Sequence, residues 1–162
     1  MISAFKGLTE QEQHQLIDAV AQITLLVGGA DGNMDQEEKE WAEKITKIRT
    51  WDHPNNEITG EFYTVVGKDY RNRLEALIKD MPEDTDKRSQ MLSDKLAKLN
   101  TILPKIDPEF GAAYYHSLTS FAEHVAKAAG GFMGFFSISS EESKWIDLPM
   151  IENIFPEEEE EA

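Results

Sequence analysis

TEQEQHQLIDAVAQITLLVGGADGNMDQEE, residues 9–38, is the stretch that decides the fold class. Thr9 is followed three residues later by Glu12. That spacing lets a threonine hydroxyl accept from the backbone N–H of the glutamate while the carboxylate reaches back to the cap, the reciprocal arrangement that starts a helix. Leu16, Val20, Ile23 and Val27 then recur at three- and four-residue steps, one face of a 3.6-residue period. Gly28-Gly29 closes the run, so a first helix is predicted over Glu10 to Gly28. Ala30-Asp31-Gly32-Asn33-Met34 is a turn by composition, and Asp35 with Glu38 makes a second capping box ahead of Trp41, Ile45 and Ile48.

The same grammar extends outward. After a break at Asp52-His53-Pro54-Asn55-Asn56, the apolar positions Ile58, Phe62, Val65, Val66, Tyr70, Leu74, Leu77 and Ile78 carry a helix to Met81-Pro82, with a joint expected at Gly67. Another is expected from Asp84 through Met91, Leu92, Leu96 and Leu99 to Leu103-Pro104. Asp107-Pro108 supplies an N-cap acid and a proline at the first helical position, and Tyr114, Leu118, Phe121 and Val125 lead from there to Gly130-Gly131. Sustained two-residue alternation is absent, so the expected class is all-α, a single-domain bundle of about seven helices. Residues 1–156 form that domain in this reading, and 157–162, opening on five consecutive glutamates, form a self-repelling disordered tail.

Composition narrows the function classes. A length of 162 residues with 40% hydrophobic content suits one core. With no cysteine, disulfides, thiolate metal sites and cysteine nucleophiles are excluded. Neither a signal peptide nor a membrane-spanning run is read, which makes a cytoplasmic location without membrane insertion the expectation. A formal net charge of −15 repels phosphate backbones, so nucleic acid is not an expected partner, whereas a protein partner or a cation suits it.

One arrangement occurs twice. Gly28-Gly29, Met34, the cap Asp35, Glu38 and Trp41 are echoed by Gly130-Gly131, Ile138, the cap Ser139, Glu142 and Trp145, with identical spacing from cap to tryptophan. Glycines end helices, caps begin them and tryptophans fill cores, which explains much of the echo structurally. The functional alternative is a pair of related helical hairpins whose turns share one site. The stretches Val27–Glu38 and Ala128–Glu142 resemble the two signatures of TerB-like domains, the second in a glycine-rich variant, and the resemblance spans roughly residues 10 to 155. It implies a compact helical bundle with pseudo-repeated hairpins, a link to tellurite resistance or stress response, and acidic turn residues proposed to hold a metal; no catalytic reaction accompanies it. The second copy departs from the pattern, since no Asp-Gly precedes Ser139.

Candidate metal ligands are therefore Asp31, Asp35 and Glu38, joined by Glu141 and Glu142 if the hairpins converge, with calcium, magnesium or manganese as the hard cation. The stretch departs from an EF-hand loop, since Gln36 stands where its turn requires glycine and Ala42 where a bidentate glutamate belongs. The plainer alternative makes Asp31-Gly32 a turn and Asp35 a cap, with Glu37 and Glu38 complementing the helix dipole. His14, His53, His116 and His124 lack the four-residue spacing of zinc pairs, and neither a nucleophile elbow, a phosphate-binding loop nor an HExxH segment occurs. The expected function is thus non-enzymatic, a protein-interaction module, with cation binding as the alternative. Phe132, Met133, Phe135 and Phe136, set among glycines, either cap the open end of the core or form an apolar contact surface. Trp41, Trp51 and Trp145 are expected to be packed, Trp51 the least completely.

Overall fold

A computed structural model describes residues 3–29, 36–52, 56–132 and 144–155. These are helical throughout their regular structure, without a strand: α1 (Glu10–Gly28), α2 (Gln36–Asp52), α3 (Asn56–Asp80), α4 (Thr85–Ala97), the single turn α5 (Leu99–Ile102) and α6 (Pro108–Phe132). Short 3-10 turns cover Ser3–Phe5 and Leu103–Lys105. The all-α class expected from periodicity is what the described residues adopt.

The capping box at the head of α1 is formed in both directions: Glu12 N–H donates to Thr9 Oγ1 at 3.1 Å, and Thr9 N–H to Glu12 Oε1 at 3.0 Å. From Ala19 to Gly28 every residue is buried, so this half of α1 is enclosed on all sides, as its nearly unbroken apolar sequence requires. It packs against α3, α6 and α4. α2 packs chiefly on α3 and then on α6, rather than on α1. Lys39 in the first turn of α2 meets Glu75 late in α3 at 3.3 Å, so α2 and α3 run as an antiparallel pair. α2 thus closes over α3.

Two sequence expectations are corrected. No joint occurs at Gly67, because Phe62, Tyr63, Val66, Tyr70 and Leu74 are all buried on either side of it, and that continuous stripe outweighs the roughly 1 kcal/mol a mid-helix glycine costs. The helix expected to run from Asp84 to Leu103 divides at Lys98. Leu96, Leu99 and Ile102 are buried at steps of three, the 3-10 repeat, and Pro104 can neither donate to nor pass the carbonyl of Asn100. α6 starts at Pro108 as expected and ends at Phe132, one residue past the expected Gly130-Gly131 stop. Helices therefore number fewer than seven among the described residues.

From Lys144 onward the chain makes turns rather than the helix expected around Trp145, with Leu148 N–H donating to Trp145 O at 2.9 Å and Ile151 N–H to Leu148 O at 3.0 Å. Pro149 forbids helical continuation, and Leu148 before it takes a left-handed φ of 48°. Asn100 clamps this segment, donating to Met150 O at 2.9 Å and accepting from Glu152 N–H at 2.8 Å. Leu148, Ile151 and Phe155 are buried. Phe155 lies over Gly111, where an added Cβ would fall 2.6 Å from the ring, so only glycine admits this approach.

One core joins all these elements, from Phe5 to Phe155. Its aromatic centre is Phe5, Phe62, Phe110 and Tyr114, with Phe62 and Tyr114 edge to face at 5.2 Å. Buried phenols fix the helices' mutual register by finding specific partners: Tyr114 donates to Leu16 O at 2.8 Å, Tyr63 to Ser117 Oγ at 2.7 Å, and Tyr70 shares a hydrogen bond with Thr24 Oγ1. Desolvation raises the phenols of Tyr114 and Tyr70 well above their ordinary range.

Candidate functional site

Most residues that the sequence nominates lie outside the described residues: Asp31, Asp35, Glu141 and Glu142 among the candidate metal ligands, and Met133, Phe135 and Phe136 among the apolar contacts. Glu38 stands in the first turn of α2 and Phe132 at the last position of α6 by their backbones, and their side chains are outside the description. The side chain of Trp51 is likewise outside it, and His53 lies outside the described residues altogether. Among the described residues, no group of three or more His, Asp or Glu side chains is placed to hold a metal. The other three histidines are exposed and dispersed: His14 is 3.8 Å from Glu10, His116 stacks on Tyr115, and His124 Nδ1 is 2.8 Å from Ser120 O.

What the structure adds near the acidic turn is Trp41. It is 41% exposed, against the expectation that it packs. The buried line of α2 runs through Ala42, Ile45 and Thr46, and Trp41 stands just beyond it, with Lys44 Nζ 5.8 Å from its ring centre. Periodicity alone could not separate position 41 from its neighbour 42, because a helix advances about 100° per residue and either could have faced inward. Trp145, by contrast, is partly buried against the core as expected.

A second feature escaped the sequence reading. Asp18, Ala21 and Gln22 of α1, Arg73, Ala76, Leu77 and Asp80 of α3, and Lys95 of α4 line a cleft of about 500 Å³. Arg73 is ion-paired with Asp18 and lies 3.6 Å from Asp69. Gln22 is only 8% exposed, yet its Oε1 accepts no hydrogen bond. A buried carboxamide oxygen left unpaired costs about 1–3 kcal/mol, which makes it an anomaly that needs a reason. The available signal was a glutamine inside the apolar run Ala19–Gly28. Beyond Asp80, an apolar groove of about 540 Å³ continues over Met81, Pro82 and Met91, flanked by Lys87 and Gln90. Comparison with known proteins finds no matching family model, no matching curated protein and no matching solved structure.

Proposed function

We propose that this chain is a non-enzymatic protein-interaction module of TerB-like type, acting in tellurite resistance or stress response through the acidic start of α2. The observation that carries the reading is the exposure of Trp41 three residues after Glu38 on the same helix. Tryptophan is the residue most enriched at interface hot spots, and burying its ring against a partner removes a large apolar area from water. Its neighbours Glu37, Glu38 and Glu40 and the preceding Asp31 and Asp35 give this end of α2 a negative field. A partner that suits both is a basic protein segment with an apolar anchor, steered by charge and held by the tryptophan. Phe132, Met133, Phe135 and Phe136 are the further contacts this reading assigns.

Photo-crosslinking from position 41 in cells tests it, with position 68 on exposed Lys68 of α3 as the control. A discrete crosslinked protein is expected from 41 and not from 68, diminished when Asp31, Asp35 and Glu38 are changed to their amides. Equal labelling from both positions, or none from either, would overturn the reading.

A further inference from the structure

Asp80 is the last residue of α3, where unpaired helix carbonyls already concentrate negative partial charge, so a carboxylate there opposes the helix dipole. Lys95 of α4 lines the same cleft. Neither Asp80 nor Lys95 has an ion-pair partner among the described residues. Asp18 and Arg73, the other two charges in the cleft, neutralise each other. Two acids and two bases thus sum to zero, which favours a ligand carrying both signs over a simple anion or cation. The small side chains of Ala21 and Ala76 leave the space, and Leu77 supplies an apolar wall. Gln22, more than nine-tenths buried, brings a carboxamide oxygen in need of a donor. The terminal torsion of glutamine is broad, so the oxygen can turn toward the cleft at small cost.

We propose that the cleft between α1, α3 and α4 binds a small zwitterion of the α-amino-acid class, its carboxylate on Lys95 and its ammonium on Asp80 and Gln22. A volume of about 500 Å³ accommodates a free amino acid or a dipeptide. The site shares no residue with the Trp41 surface, so either assignment can fail without the other.

The test is titration calorimetry with the full chain against glycine, alanine, glutamine and the dipeptide Ala-Ala, with acetate and methylammonium as half-ligands. Saturable binding of at least one zwitterion is expected at concentrations up to about 10 mM, with neither half-ligand binding comparably. Lys95→Ala and Asp80→Asn should each weaken it by about tenfold or more, as loss of a charge-assisted hydrogen bond does. Gln22→Met should weaken binding while raising the melting temperature, an opposed pair of effects that a purely structural glutamine cannot produce. The relative affinity for amino acid and dipeptide then identifies the ligand's source. Absence of zwitterion binding, acetate binding as well as glycine, or affinities indifferent to both charge substitutions would overturn the proposal.

Discussion

A hydrogen atom is all that position 111 can carry, because the ring of Phe155 occupies the place a Cβ would take. Gly111→Ala is therefore expected to lower stability by about 1–3 kcal/mol, the usual cost of overpacking. The same change in a Phe155→Ala background should cost much less, and a double-mutant cycle by urea denaturation reads the difference. Tyr114 illustrates a second residue-scale constraint. Burial, with Tyr63 and Asp18 adding to it, holds its phenol protonated to unusually high pH, and Tyr70 is raised chiefly by the same desolvation. Since the folded state keeps these protons more tightly than the unfolded chain does, their contribution is intact below the ordinary phenol pKa of about 10 and declines above it. Melting temperature should fall steeply on that alkaline side, with phenolate absorbance appearing together with unfolding. Tyr114→Phe should shallow the fall while costing about 1 kcal/mol at neutral pH for the lost bond to Leu16 O. A gradual rise in phenolate absorbance while the protein stays folded would show the phenols to be accessible. At this scale the sequence is least informative: nothing local distinguishes Gly111 from any helical glycine, and although Gln22 interrupts an apolar run, its unpaired oxygen is visible only in the fold.

Helix starts were legible because caps are local chemistry. Thr9 and Glu12, and likewise Asp107 and Pro108, carry their instruction within three residues, and Asp107 Oδ2 indeed accepts from Phe110 N–H at 3.1 Å. Thr9→Ala should cost about 0.5–2 kcal/mol by thermal or chemical denaturation. Glu12 is held below the usual carboxylate range by its hydrogen bond from Lys105 and then by that from Thr9. Its support for α1 is therefore complete above the ordinary glutamate pKa and is lost as pH drops through the lowered value. Interior breaks were illegible for the opposite reason. Just past the break at Lys98, Asn100 is engaged by Met150 and Glu152, some fifty residues away, and no window around position 98 contains that contact. Asn100→Ala should release the segment around 148–152, seen as faster amide exchange there with little change in α1 or α3. Uniform acceleration across all helices would instead make the clamp a part of the global core.

For the molecule as a whole, periodicity established the all-α class and charge established the repulsion that any partner or ligand must meet. With a formal net charge of −15, the folded state works against its own field, and added sodium chloride should raise the melting temperature as the Debye length contracts to about 8 Å near physiological strength. A decrease would mean that cross-helix pairs such as Arg73–Asp18 and Lys105–Glu12 contribute more than the repulsion removes. The helical echo was visible in sequence as a spacing, but spacing does not encode which helix a neighbour packs on, and α2 settles on α3. Phe5 meets Phe110, and Phe155 meets Gly111, so residues from opposite extremes of the fold converge on consecutive positions of α6. During synthesis residue 155 must therefore clear the ribosome before Gly111 can be covered, so this seam of α6 is closed from the late end of the chain.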